Sequence, residues 1–313
     1  MQSSLVFTSD TFAYCHAPTV VNGPQGLILA CCAGPAEAHP QTSIWTATFD
    51  GTWRDHHPTV ASLPSTGRNI PVWNPVLFRA QEEIRLYYRA GASPEDWTCA
   101  YIATQRGNSW TASTPHEPTL TGPVRNKPIQ LKSGTTITAT STENYGWEVH
   151  FEIFHPDSKR WDRVTVPAAG IKAIQPVIIK HENDTLQALC RTKNSFIAHT
   201  WSFDSGQSWS PLELTNLVNP NAAIDAIKVD HLGFLLVYNN CQFARYQLTI
   251  AVSTNGVEWV DKLTLENSLG EYSYPSMTCS QDGSLHVVYT HNRTNIKHVA
   301  LTKQEVTALF ISK

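Results

Sequence analysis

Ser202-Phe203-Asp204-Ser205-Gly206-Gln207-Ser208-Trp209 is the stretch whose reading decides the fold. The Asp accepts hydrogen bonds from backbone N–H groups of its own turn, the Gly takes a conformation other residues resist, and the Trp packs beneath the hairpin. A second copy, Ser253-Thr254-Asn255-Gly256-Val257-Glu258-Trp259, is one residue shorter and uses Asn-Gly, the strongest short hairpin signal. Degraded copies stand at Asp50-Gly51-Thr52-Trp53, Arg106-Gly107-Asn108-Ser109-Trp110 and Asp157-Ser158-Lys159-Arg160-Trp161. The five closing tryptophans are 57, 51, 48 and 50 residues apart, which is the period of a four-stranded propeller blade and too long for a helical hairpin.

Two further registers keep the same step. Short apolar strands begin at Leu27, Ile84, Thr135, Leu186, Phe234 and Leu285, at intervals of 57, 51, 51, 48 and 51 residues. About ten residues before each stand His16-Ala17-Pro18, Trp73-Asn74-Pro75, Asn126-Lys127-Pro128, Ile174-Gln175-Pro176, Ile224-Asp225-Ala226 and Ser273-Tyr274-Pro275. Proline cannot donate to a central ladder but suits the first residue of a strand. These segments are expected to open the innermost strands of six four-stranded blades, with their first residues gathered at one mouth. The expected fold is an all-β, six-bladed propeller occupying residues 1–313 as one domain. Val6–Thr8 is expected to close the ring beside Lys297-His298-Val299.

Charged residues are 16% of the chain, hydrophobic ones 41%, and the formal charge is −3. No Lys/Arg run interleaves with aromatics, which argues against a nucleic-acid or anionic-membrane surface. No segment approaches the apolar length of a membrane span, and the N-terminus carries no signal-peptide pattern. Seven cysteines without metal-like spacing read as buried free thiols. These features point to the cytoplasm, or to a secreted chain whose signal has been removed. Neither His56-His57 nor His291-Asn292 has metal spacing, and no metal or cofactor is expected.

The segments GPVRNKPI (122–129), STENYGWEVHFE (141–152), NPNAAIDAIKV (219–229), LLVYNN (235–240), GEYSYPSM (270–277) and VVYTHNRTNIKHVAL (287–301) together resemble the sialidase-like Asp-box (BNR) repeat proteins of bacteria and plants. The resemblance spans nearly the whole chain and implies a six-bladed propeller acting on a glycan. It also implies a carboxylate clamp of three arginines, a tyrosine nucleophile backed by a glutamate, and an aspartate acid. Arg191 and Arg245 are similar to the second and third arginines. The first is replaced by His16, in His16-Ala17-Pro18. Tyr272 resembles the nucleophile, and Tyr274 competes for that position. Gln175 stands where the glutamate is expected, and the aspartate is not evident.

Two arginines suffice for a bidentate carboxylate clamp, so an acidic oligosaccharide or glycoside is the expected partner. His16 adds a group whose ordinary titration lies near neutral pH. Glu143, after a central strand, is a candidate acid or base. Trp73 and Tyr274 are candidate sugar platforms, and Asn74, Asn126, Lys127, Gln175, Asn219, Asn221 and Asp225 supply further polar contacts. Hydrolysis at a chain end leads as the expected chemistry. β-Elimination of a uronate by a His/Tyr pair and a glycan-binding propeller without catalysis are the alternatives.

Overall fold

The computed structural model describes residues 1–8, 11–60, 63–65, 68–107, 109–144 and 146–311; the side chains of His56 and His57 lie outside the described residues. Six antiparallel sheets follow one another around a ring. Blade 1 is Tyr14–Gly23, Gly26–Gly34, Ser43–Phe49 and Trp53–Val60. Blade 2 is Val72–Ala80, Glu83–Ala90 and Tyr101–Arg106, with an outer edge split into Ser109–Trp110 and Thr114–Pro115. Blade 3 opens on a two-residue strand, Ile129–Gln130, followed by Thr136–Thr142, Glu148–His155 and Arg160–Thr165. Blades 4 and 5 are Ala173–Lys180 to Glu213–Val218 and Asp225–Val229 to Val260–Asn267. Blade 6 contains Tyr272–Cys279, Leu285–His291 and Asn295–Leu301.

The Asp204 and Asn255 turns fasten blades 4 and 5, each to the blade before it. Asp204 Oδ1 accepts from Ser208 N (2.9 Å) and Ser202 Oγ (2.8 Å), which folds the turn back on itself. Gly206, at φ +94°, holds a backbone state that L side chains rarely adopt, and a Cβ there would press on Ile137 Cδ1 of blade 3 at 2.7 Å. Trp209 does not stop beneath its own hairpin. Its ring stacks on Phe151 of blade 3 at 3.6 Å and 8°, a geometry worth about 0.5–1.5 kcal/mol beyond simple burial. Blade 5 repeats the device: Gly256 O accepts from Gln187 Nε2 of blade 4 at 2.8 Å.

The inner strands share a second device. Ala17, Asn74, Gln175 and Tyr274 each precede a proline and each has a left-handed φ, between +41° and +55°. The pairing register slips at each of these points. Such a bulge breaks the alternation of faces along a strand and re-aims one side chain. The turns between first and second strands, and between third and fourth, lie on one face of the ring. The starts of the inner strands, the loops between second and third strands and the connections between blades lie on the other.

Closure uses an earlier segment than expected. Gln2–Leu5, not Val6–Thr8, pairs with blade 6, with Ser3 opposite Val299 and Leu5 opposite Lys297. Beyond that ladder Val6 N still donates to Ile296 O (2.8 Å) and Phe7 N to Asn295 Oδ1 (3.2 Å), while the apolar side chains of Val6 and Phe7 turn into the core between blades 6 and 1, where both residues are 3% exposed. A helix, Lys303–Ile311, follows the last blade and packs Val306, Leu309 and Phe310 on blades 5 and 6. The ammonium of Met1 pairs with Glu305 of that helix. All seven cysteines are free, and Cys15, Cys31, Cys32 and Cys190 are buried. Among the described residues no helix is long and apolar enough to cross a membrane.

Near the seam of blades 6 and 1, His298 Nε2 faces His286 Nδ1 at 3.0 Å, and its Nδ1 accepts from Trp53 Nε1 at 3.2 Å. Burial, with the neighbouring His286, pushes His298 down to about 3. An unfolded imidazole titrates near ~6.5, so between those values the unfolded chain binds a proton that the folded one refuses. The contribution is complete above pH ~6.5 and is lost as the pH falls toward 3. Denaturant melts should show the protein about 2 kcal/mol less stable at pH ~5 than at pH ~7.5 from this residue, and His298→Gln should flatten that slope. Equal slopes in the two proteins would contradict this account of the seam.

Candidate active site

Tyr274 stands at the centre of the mouth, half-buried, with three guanidinium groups around its ring. The guanidinium carbons of Arg125, Arg245 and Arg191 lie 5.3, 5.7 and 5.8 Å from the ring centroid. Arg191 Nη1 donates to the Tyr274 hydroxyl at 3.0 Å and to Gln175 Oε1 at 3.1 Å. Burial pulls the phenol pKa up, but the charges of Arg191, Arg245 and Arg125 with the Arg191 hydrogen bond outweigh it, and the net shift is below the ordinary tyrosine value. Gln175 is an amide whose oxygen is already taken by Arg191, so it does not take the phenol proton. The arginines make Tyr274 acidic without a carboxylate at that position.

The arginines are themselves held in place. Asn221, left-handed at φ +55°, accepts from Arg191 Nε through its side chain (2.9 Å) and from Arg245 Nη2 through its backbone carbonyl (3.0 Å). Asn is among the few residues with side chains that tolerate this backbone. Glu271 bridges Arg245 (3.2 Å) and Arg293 (2.7 Å) and accepts from Ser273 Oγ. It is also pushed upward by burial, but Arg293 and Arg245 bring it below the usual carboxylate range. Glu37, on the loop after the second strand of blade 1, pairs with Arg293 at 2.7 Å. Arg191 faces no carboxylate ion pair among the described residues. Arg125 has no such pair either, but it is 1% exposed with Nη2 on two carbonyls, which leaves Arg191 as the guanidinium with charge to spare for a ligand.

His16 lies beneath Tyr274, with ring centroids 4.2 Å apart, and its Nδ1 meets Thr290 Oγ1 at 3.0 Å. It is 3% exposed. Burial first, then Arg293, Arg245, Arg125 and Arg191, hold its pKa well below the ordinary imidazole value. The neutral-pH titration expected of it is absent, and it serves as an uncharged floor. Glu143 goes the other way: burial raises its pKa against the opposing charges of Arg191 and Lys193. Trp147 carries Arg191 at 5.6 Å and Lys193 at 4.3 Å over its ring, and it is partly exposed beside Glu143.

Residues 25–287 match the family model described as a BNR repeat-like domain. The chain belongs to that family. No curated protein sequence matches it. Among solved structures, a Dyadobacter fermentans protein described as of unknown function superposes with a TM-score of 0.81 at 12% identity, covering 96% of this chain and 98% of that one. A Hadza microbial sialidase superposes with a TM-score of 0.78 at 16% identity, covering 96% of this chain and 68% of that one. The intramolecular trans-sialidase of Ruminococcus gnavus gives 0.74 at 14% identity, covering 97% and 98%. At such identities the similarity establishes the propeller, and chemistry is argued from this chain's residues.

In this BNR propeller, the residues expected at the site divide into two groups. His16, Gln175, Arg191, Asn221, Arg245 and Tyr274 converge at the mouth, with Glu143 beside them. Tyr272 does not join them: its ring is 4% exposed in the core of blades 5 and 6, and its hydroxyl meets Ser268 Oγ at 2.8 Å. Tyr272 and Tyr274 are two apart and belong on one face of a regular strand, but the bulge at Tyr274 separates them. Trp73 is also a packing residue, 8% exposed, with Nε1 on Gly91 O and its ring edge-on to Trp97. Asn74, Asn126 and Asp225 make structural bonds to neighbouring blades or arms, Lys127 reaches across the channel, and Asn219 bonds within its own turn. Arg125, Arg293, Glu37 and Trp147 were not singled out from sequence. Trp147 was the accessible one, an aromatic in the loop that carries Glu143.

A cleft of about 570 Å³ opens on the opposite face between blades 1 and 2, lined by Thr46, Asp50, Arg54, Gln105 and Trp110 among others. Its Arg54 is already paired with Asp50 at 2.7 Å, and cleft volume does not mark the chemistry here. Ultraviolet titration should show one tyrosine ionising below pH ~10. Tyr274→Phe should remove it and Tyr272→Phe should leave it. An unchanged curve for Tyr274→Phe would contradict the arginine cage.

Proposed function

We propose that the protein is a glycosidase of the sialidase type, acting on a terminal sugar that bears a carboxylate. The observation that carries this reading is the tyrosine hydroxyl hydrogen-bonded to an arginine that has no carboxylate partner. Arg191 and Arg245 receive the sugar carboxylate, since planar guanidinium groups match it bidentately. Tyr274 Oη attacks the anomeric carbon, forming the Oη–C bond as the glycosidic C–O bond breaks. Glu143 gives its proton to the departing oxygen. Water then attacks the same carbon, Glu143 takes back a proton, and Tyr274 leaves as the phenolate.

The two pKa shifts serve this division of labour. An acid must keep its proton near neutral pH, and Glu143 is raised, whereas Glu271 is lowered and Glu37 sits in an ion pair. The reactive form has Tyr274 ionised and Glu143 protonated. Raising one pKa and lowering the other increases its share. A binding protein without turnover is the second reading, favoured by the amide at Gln175. Uronate elimination loses support because His16 is buried beneath the tyrosine.

The test is a panel of terminal acidic glycosides, uronate-containing glycans and neutral glycosides. Release of a reducing acidic sugar is expected, with a bell-shaped pH profile whose alkaline limb lies below pH ~10. Glu143→Gln should cost about 10²–10⁴-fold in turnover, and less on aryl glycosides, which need less protonation. Arg191→Lys should weaken transition-state binding by about 2–5 kcal/mol. Equal cleavage of neutral sugars, or absorbance of an unsaturated uronate, would overturn the proposal. Tight binding with no product would move the protein to the second reading.

A further inference from the structure

Arg125 enters the site from across the channel. It belongs to the arm between blades 2 and 3, and blade 3 stands opposite blade 6 in a ring of six. Its Nη2 donates to the carbonyls of Tyr274 (2.8 Å) and Pro275 (2.7 Å), some 149 and 150 residues away in sequence. The side chain is 1% exposed, and its guanidinium also lies 5.3 Å from the Tyr274 ring. Tyr274 is a non-glycine residue at φ +54°, a backbone state that costs on the order of 1–3 kcal/mol and persists only where its surroundings enforce it. The two carbonyls bound by Arg125 are those on either side of the Tyr274–Pro275 junction.

The arm itself is rigidly moored. Glu152, fully buried, accepts from Thr121 N (2.6 Å) and Gly122 N (2.8 Å); Thr140 Oγ1 donates to Gly122 O (2.7 Å). Asn74 Nδ2 donates to Val124 O, and Asn126 Nδ2 donates to Gln175 O and Pro176 O, each at 3.1 Å. Two residues further on, Lys127 Nζ reaches Ser276 Oγ (2.9 Å), Met277 O (3.1 Å) and Asp225 (3.5 Å). Arg125 and Lys127 therefore staple the same pair of opposite blades. Only Arg125 touches the tyrosine.

We propose that Arg125 is a positioning residue: from the opposite blade it locks the Tyr274–Pro275 bulge that aims the phenol into the mouth, and it supplies a fixed positive charge against the ring. This rests on the reading that Tyr274 is the reacting group. The groups facing the tyrosine are Arg191 from blade 4, Arg245 from blade 5, and the neutral His16 with Tyr14 from blade 1. Asp225 faces Arg125 rather than the ring, from the floor of the channel. Arg125 has no role in binding substrate, since its Nη2 is committed to carbonyls and it is closed off from solvent.

The experiment compares Arg125→Met, Arg125→Lys and the control Lys127→Met with the full-length protein. Ultraviolet titration of Tyr274, taken as the difference from Tyr274→Phe, needs no substrate. Arg125→Met should move that titration upward by about 1–3 pH units, the usual effect of losing a charge within ~4–6 Å. Arg125→Lys keeps the charge but not both carbonyl bonds, so its titration should stay within about half a unit while kcat falls with KM unchanged. Lys127→Met should lower the melting temperature and leave the titration in place.

The proposal is overturned if Arg125→Met leaves the titration unmoved, or if Arg125→Lys keeps wild-type kcat. If Arg125→Met does not fold, Arg125→Gln, which retains a donor for a carbonyl, should show the same upward shift, and no shift overturns it equally. A shifted titration in a protein that cleaves no glycoside would support the role of Arg125 while removing the glycosidase reading.

Discussion

Everything at the mouth depends on one backbone constraint, the left-handed residue before proline where an inner strand begins. A β-strand places residues two apart on the same face, so a regular strand would bury Tyr272 and Tyr274 together. At Tyr274 the strand bulges, and only Tyr272 goes to the core. Ala17, Asn74 and Gln175 sit in the same state in blades 1, 2 and 4. Because each residue is strained, each needs a partner elsewhere in the ring: Thr290 for the Ala17 N–H, Val124 for the Asn74 side chain, Ser141 for the Gln175 N–H, and Arg125 for Tyr274. The ring and the site are thus one structure, since the strain at the mouth persists only in a closed channel.

The second organising fact is the charge placed there. Arg125, Arg191 and Arg245 surround one phenol, and with Arg293 they face one imidazole, against the carboxylates of Glu271 and Glu37. The excess positive charge has two effects. Burial is the larger reason that His16 stays neutral, and the positive charge adds to it; at Tyr274 the same charge outweighs burial and makes the phenol easier to ionise. A group that attracts an anion and also ionises a tyrosine suits a substrate whose carboxylate lies next to the carbon being attacked.

Much of the fold was legible in the chain because its period is local. The turns and the strand starts repeat about every 50 residues, so two registers of six members count six blades, and the five closing tryptophans keep the same step. The ring closure was placed a few residues late, at Val6–Thr8, because pairing with Lys297–Ala300 leaves no local mark. The site was partly legible. Arg191, His16, Gln175 and Tyr274 stand in strands near the ends or starts that a repeat identifies, and Arg245, in the loop before Gln247–Ser253, is marked by the family resemblance. Arg125 and Arg293 lie in a connecting arm and a turn, and their importance comes from contacts across the channel or between neighbouring loops. Lys127 and Asp225 look like site residues in sequence because polar groups at strand starts usually face a mouth; here the two are drawn down to each other inside the channel.

The central claim is that Arg191 and the tyrosine it touches form one anion-recognising, bond-breaking unit. The most direct measurement is a crystal structure of the protein with a sugar carboxylate such as sialic acid. The expected result is the carboxylate against Arg191 and Arg245, with the anomeric carbon facing Tyr274 Oη. A ligand seated in the cleft between blades 1 and 2, or an acidic sugar held at the mouth with its carboxylate turned away from Arg191, would contradict it.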